Sequence, residues 1–199
     1  MMEFKDYIFD FGNVLYEFEP EKIFYKYTDS SEDVKLLNQV IFENWSSLDN
    51  GTEEYTDFIN SVMGKLPKDL KVTARTMLMT WHRAIPAVNG MREIVEALKQ
   101  KGAGVYMLSN APKRMEDIFD TFPESGIFDD FIISGSVKMV KPEKRIYEYA
   151  CRKFGVNPRD TLFIDDRVQN IEGAKEFGLN TYLFDGEVSK LKEYLKNYL

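Results

Sequence analysis

The 199-residue chain is predicted to be an α/β protein, a parallel sheet covered on both faces by helices and interrupted near its start by an all-helical insertion. Three observations predict this. Five short runs are apolar almost throughout, as strands buried on both faces are: Tyr7-Ile8-Phe9, Val105-Tyr106-Met107-Leu108, Phe131-Ile132-Ile133, Thr161-Leu162-Phe163-Ile164 and Thr181-Tyr182-Leu183-Phe184. From Val88 onward these runs alternate with stretches of helical period, the pattern of βαβ units. Between Glu17 and Ala87 that alternation stops, and charges mix with aromatics at helical spacing.

The elements follow in order. Tyr7-Ile8-Phe9 runs straight into Asp10, which sets a carboxylate just beyond a strand's carboxyl end, where ligands of parallel sheets bind. Residues 14–16 read as further extended chain. Pro20 suits a first helical position, with Ile23, Phe24 and Tyr27 at helical spacing. Val34, Leu37, Ile41 and Trp45 form the next apolar face. Asp49-Asn50-Gly51-Thr52 reads as a turn and N-cap, with Glu53 and Glu54 favourable in the first turn of a helix that buries Tyr55, Phe58, Ile59 and Val62. Gly64 and Pro67 close that helix, and a last one spans 69–85, ended by Pro86.

Beyond the insertion, Met91, Ile94, Val95 and Leu98 make one helical face, with Gly102 as its C′ residue. The second strand ends at Ser109-Asn110, and a helix covers 113–122. The third strand ends at Ser134-Gly135. Pro142 is read as the first residue of a helix through Phe154, stopped by Gly155. The fourth strand runs into Asp165-Asp166, followed by a helix to Phe177 with Gly178 as its stop. An amphipathic helix from Ser189, with Leu191, Tyr194, Leu195 and Tyr198, closes the chain over the core.

Composition narrows the function. A net charge of -7 without a Lys/Arg block argues against a nucleic-acid or anionic-membrane surface. One cysteine, Cys151, excludes an internal disulfide framework and a thiolate metal cluster, and its apolar neighbours make it packing. The charged first residues lead directly into a strand, so no signal peptide is expected. No apolar run is long enough to span a bilayer. The expectation is a cytoplasmic protein, a monomer or weak homodimer, acting on a small molecule.

Four strand ends or adjoining loops now carry Asp10, Ser109-Asn110, Lys141-Pro142 and Asp165-Asp166. Taken singly each has a plain structural explanation. Asp10 and Ser109-Asn110 are turn chemistry after a strand, Lys141 is a lysine beside a helix start, and Asp165-Asp166 suits a helix N-terminus. As an ordered set they resemble the haloacid dehalogenase-like (HAD) hydrolase superfamily. Phe9-Asp10-Phe11-Gly12-Asn13-Val14, Phe163-Ile164-Asp165-Asp166 and Asn170-Ile171-Glu172-Gly173-Ala174 are similar to its branch containing bacterial α-D-glucose-1-phosphate phosphatases.

That resemblance implies a Rossmann-like core at 1–16 and 88–199, with a helical cap of the C1 type at 17–87. It implies a Mg²⁺-dependent phosphatase of a small phosphorylated metabolite, in which Asp10 attacks phosphorus and forms an aspartyl-phosphate. Mg²⁺ takes hard oxygen ligands, here the Asp10 and Asp166 carboxylates and the Gly12 main-chain carbonyl, with Asp165 in a supporting position. Ser109 and Asn110 would bind phosphoryl oxygens. Lys141 would neutralise the transferred group and help hold Asp10 ionised.

One position departs from the superfamily's phosphatases. They carry a second aspartate two residues after the nucleophile, as acid for the leaving group and base for water; this chain has Gly12. The named sugar-phosphate branch shares that glycine. Glu17 and Glu19 are the candidate substitutes, and a plain explanation of Gly12 is a backbone of positive φ. The gap also admits two other functions: a metal-independent 2-haloacid dehalogenase using Asp10, and a non-catalytic binding module. Asp165-Asp166 speaks against the first, because it sets unneutralised anions beside a carboxylate substrate. Trp45, Trp81 and Tyr55 have the spacing of bundle core, and His82, the one histidine, is given no catalytic role.

Overall fold

The computed structural model describes residues 4–199. A five-stranded, all-parallel sheet has strand order β3-β2-β1-β4-β5. The strands are β1 (Asp6–Phe9), β2 (Gly104–Ser109), β3 (Asp130–Ile133), β4 (Thr161–Asp165) and β5 (Asn180–Leu183). Each apolar run named above lies on one of them, except that β5 ends one residue short of Phe184. Between β1 and β2 come α1 (Pro20–Phe24), α2 (Ser31–Phe42), α3 (Trp45–Asp49), α4 (Tyr55–Lys65), α5 (Lys71–Thr80) and α6 (Met91–Gln100). The remaining helices are α7 (Arg114–Phe119), α8 (Ser134–Val137), α9 (Lys144–Phe154), α10 (Val168–Phe177) and α11 (Val188–Tyr194). Among the described residues no helix is long and apolar enough to cross a membrane.

Strand period sorts the core. Tyr7, Phe9, Val105, Met107, Leu162 and Ile164 point to one face and pack with Met91, Ile94, Val95 and Leu98 of α6 and with Leu191 and Leu195. Ile8, Leu108, Ile132 and Phe163 point to the other and meet Ile146, Tyr147, Ala150 and Cys151 of α9 and Ala174 of α10. Both faces are buried at the central strands, which read as unbroken apolar runs; edge strand β5, expected from its run to be buried likewise, is only partly covered, with Leu183 exposed. A third apolar cluster lies within α1–α5: Phe24, Val34, Leu37, Ile41, Leu48, Phe58, Ile59, Val62, Met77 and Leu78 are among its members. Trp45 packs on Phe42 and Phe58 there, and Tyr55 stacks on Phe58. Trp81 is buried against Phe18.

Several boundaries differ from the sequence expectation. Residues 14–16 form no strand; Tyr16 makes isolated bridges to Gly12 and Ala87. The face Val34-Leu37-Ile41-Trp45 spans two helices, because the apolar spacing continues across the break at residues 43–44, where the Asn44 amide bonds Ser47 and Glu53. The N-cap of α4 is Glu54, not Thr52. The helix expected at 69–85 is α5 plus a 3₁₀ turn at Trp81–Arg83. Pro142 lies before α9, whose N-cap is Glu143, and α8 after β3 was not foreseen. Gly12 does not have positive φ; Asn13 does, at 58°.

Candidate active site

β1 lies between β2 and β4, so its carboxyl end is flanked by theirs. The Asp10 N–H donates to Ile164 O at 2.9 Å and extends the ladder one residue past β1. Asp10 therefore leaves the sheet beside Asp165, the last residue of β4. Asp10, Asp165 and Asp166 offer carboxylate oxygens that all lie within 4.8 Å of one another. Like charges this close resist ionisation unless a cation sits with them.

Lys141 is one such cation. Its Nζ lies 2.8 Å from Asp10 Oδ1 and 2.7 Å from Asp165 Oδ2, and its side chain is fully buried. Asn110 holds the lysine from behind: its Nδ2 donates to Lys141 O at 2.9 Å and its Oδ1 accepts from Lys141 N at 2.9 Å. The Lys141–Pro142 peptide is cis. At Gly173 of α10 a Cβ would stand 2.6 Å from Pro142 O, so only glycine lets α10 approach this turn. Sequence reasoning gave Asn110 to the substrate; the structure engages both ends of its amide with Lys141, leaving one N–H hydrogen for anything else.

Asp165 is wholly buried and has four bonded contacts. Besides Lys141, the Arg167 N–H donates to Oδ1 at 2.8 Å, and Asn170 Nδ2 stands 3.0 Å from each oxygen. Tyr147 anchors Asn170 through its main-chain carbonyl at 2.8 Å. Asp166 is more open and accepts from Asn13 Nδ2 at 3.3 Å. Neither aspartate caps α10, whose N-cap is Arg167. Asn170 and Asn13 are site residues that no role was read for in the sequence. The signal for Asn170 was its place one turn into the helix after Asp165.

Electrostatics follow from burial. Asp10 is raised above the usual carboxylate range by desolvation, with Lys141 pulling down and Asp165 pushing up. Burial alone would lower Lys141, but Asp10 and Asp165 outweigh it and hold the ammonium above the usual lysine range. Burial also raises Asp166, opposed by Asn13. Three carboxylates against one buried ammonium leave an excess of negative charge. The donor set, hard oxygens that converge with a deficit of cations, fits a divalent metal ion such as Mg²⁺. Ser109, buried at the end of β2, completes the strand-end set.

The family model for haloacid dehalogenase-like hydrolases matches residues 5–178. The chain belongs to that family. Among relatives of this hydrolase, the sesquiterpene phosphatase astK of Aspergillus oryzae is 26% identical over 178 residues, covering 88% of this chain and 87% of that one. The (S)-2-haloacid dehalogenase 4A of Burkholderia cepacia is 31% identical, but over 52% of this chain and 46% of its own length. A HAD family enzyme of Bacteroides thetaiotaomicron, solved with magnesium and inorganic phosphate, superposes with a TM-score of 0.70 at 23% identity, covering 94% of this chain and 98% of that one. That likeness is one of fold.

The remaining expectations for this HAD hydrolase resolve individually. Glu17 and Glu19 are exposed and line a surface cleft of about 410 Å³ with Lys22 and Lys26; no strand-end residue lines it. His82 is buried against Trp81 and Phe122, on the insertion side of the core. Cys151 is buried packing, and Leu191 and Leu195 cover the core as expected.

Proposed function

We propose that this HAD hydrolase is a Mg²⁺-dependent phosphatase of a small phosphorylated metabolite. The observation that carries the reading is the charge balance: carboxylate oxygens of Asp10, Asp165 and Asp166 lie within 4.8 Å of one another, and one buried ammonium, Lys141, pairs with Asp10 and Asp165. Such a site suits a dianionic phosphoryl group accompanied by a divalent cation. Asp10 and Asp166, with the Gly12 carbonyl, would hold the ion; Asp165, saturated by Lys141, Arg167 and Asn170, supports them. A bound metal ion would supply the positive charge that lets an anionic phosphoryl group approach a carboxylate nucleophile.

The chain's own residues do the rest. Asp10 is the nucleophile and forms the aspartyl-phosphate. The Phe11 N–H donates to Asp10 Oδ1 at 2.7 Å and Lys141 to the same oxygen, so Oδ2 is the oxygen left to attack. Lys141 carries positive charge to the phosphoryl group and Ser109 donates its hydroxyl to it. Asn110 acts chiefly by positioning Lys141. The insertion, residues 17–87, is a cap over the strand ends that excludes water and selects the substrate. The substrate class remains a small phosphate ester. A sugar phosphate rests on the motif resemblance alone, since the relatives reported above include a sesquiterpene phosphatase and a haloacid dehalogenase.

The dehalogenase relative supplies a second reading, in which Asp10 displaces halide from a 2-haloacid without metal. Asp165 and Asp166 weigh against it, because an anionic haloacid would meet two further carboxylates. One experiment separates the two. Phosphate release from a panel of phosphorylated metabolites is measured with Mg²⁺ and with a chelator, beside halide release from 2-haloacids. Phosphate release that requires both the metal and Asp10, vanishing in Asp10→Asn, is expected. Metal-independent halide release with no phosphate release would overturn the proposal.

A further inference from the structure

The insertion sets an aspartate, a residue of the kind missing at Gly12, against the carboxyl ends of two strands. Asp49 is the last residue of α3. Its main-chain carbonyl accepts from Ser134 Oγ at 2.7 Å, and that hydroxyl accepts from the Ala111 N–H at 3.0 Å, two residues beyond Ser109. Glycines close the same seam. A Cβ at Gly51 would stand 2.1 Å from Gly135 O, and one at Gly135 would stand 2.6 Å from Leu48 O. Main-chain contacts therefore pin Asp49 against the carboxyl ends of β2 and β3 without using its side chain.

That side chain is half-buried, and its Oδ1 is a buried atom with no hydrogen-bond partner among the described residues. Apart from the neighbouring Trp45 indole, the groups that act on it are the cations of Arg167 and Lys141. Lys141, one of these cations, is the ammonium that pairs with Asp10. Burial pushes the Asp49 carboxyl up to about 7, against the opposing pull of Trp45, Arg167 and Lys141. A buried acceptor without a partner is costly, and one held at the carboxyl ends of the strands has a candidate partner in the substrate.

We infer that Asp49 is the proton donor to the leaving group and the base for the attacking water, the role that Gly12 leaves open. This deepens the phosphatase reading and rests on it. In the first step an Asp10 oxygen bonds to phosphorus while the bond from phosphorus to the substrate oxygen breaks. The Asp49 carboxyl gives its proton to that oxygen, so the alcohol departs neutral and Asp49 is left as carboxylate. In the second step water bonds to phosphorus and yields a proton to Asp49. The bond between phosphorus and Asp10 breaks, which returns the Asp10 carboxylate, inorganic phosphate and a protonated Asp49. Water is the only co-reactant.

The test reads leaving-group dependence, which a structural role would not move. kcat/KM reports the steps through phosphorylation of Asp10, and is measured with Mg²⁺ on p-nitrophenyl phosphate and on an alkyl phosphate. p-Nitrophenolate leaves without a proton; an alkoxide does not. Asp49→Asn is expected to lower kcat/KM on the alkyl ester about 10²–10⁴-fold and to change it far less on the nitrophenyl ester. Equal losses on both esters, or none on either, would overturn the inference while leaving the phosphatase reading intact. Failure of the native enzyme to hydrolyse either ester would overturn both. If Asp49→Asn does not fold, the native enzyme still decides: a shallow dependence of kcat/KM on leaving-group basicity supports the inference, and a steep one overturns it.

Discussion

Lys141 Nζ and Asp10 Oδ1 form an ion pair at 2.8 Å between a buried ammonium and a carboxylate at the end of the central strand. The same ammonium reaches Asp165 at 2.7 Å, so one cation ties together the ends of the neighbouring strands β1 and β4. The site is therefore part of the fold's own electrostatic balance, and changes to it should register in stability as well as in rate.

Removal of Lys141 leaves Asp10 and Asp165 buried without their common partner. Breaking a buried pair from one side typically costs about 3–5 kcal/mol. Lys141→Ala is expected to lose that order of stability in urea unfolding with chelator present, and to lose turnover on every substrate. Stability equal to that of the native protein would mean that water or other groups solvate the two carboxylates.

Gly12 has room for a side chain. A Cβ there meets only Phe18 Cβ, at 3.6 Å, which is ordinary contact, and its φ is not positive. Gly12→Asp is therefore expected to fold with little change in Tm. A carboxyl on this loop should also restore alkyl-phosphate turnover to Asp49→Asn, since either residue would then supply the proton. A double variant no faster than Asp49→Asn would argue that the loop at residue 12 points its side chain away from the leaving group.

Asp49 also predicts a pH dependence of stability. Its folded carboxyl lies at about 7, well above the unfolded value, because burial disfavours the charged form. Between about pH 4 and that folded value the native state binds more protons than the unfolded chain, so stability falls as pH rises. The contribution is complete below the unfolded pKa and lost as pH passes the folded one. Arg167 and Lys141 face the group and limit the loss, as does the Trp45 indole. Urea unfolding of the metal-free protein from pH 4 to 7 should show the native chain losing stability relative to Asp49→Asn, which has no proton to release. Parallel curves would show that Asp49 stays ionised throughout.

Much of this was legible in the sequence. Apolar runs without alternation mark the central strands as buried on both faces, and the runs ending in Asp10, Ser109 and Asp165 place chemistry at the sheet's carboxyl edge, because a parallel sheet aligns those ends. The break in βα alternation after residue 16 marked the helical insertion, whose apolar faces could be read from spacing. Helix ends could not, since Val34, Leu37, Ile41 and Trp45 keep their period across a break that the Asn44 side chain stabilises.

What only the tertiary structure decided are contacts between residues far apart in the chain. Asn110 grips the Lys141 backbone 31 positions away, Asn170 satisfies Asp165, and Ser134 reaches 85 positions back to Asp49. Each of these side chains is unremarkable in its local sequence, and what it does depends on which strand end folding sets beside it. The period of a strand or helix is a local property. Partnership across the sheet's edge is set by strand order and by how the insertion seats on Gly135, and no local pattern encodes either.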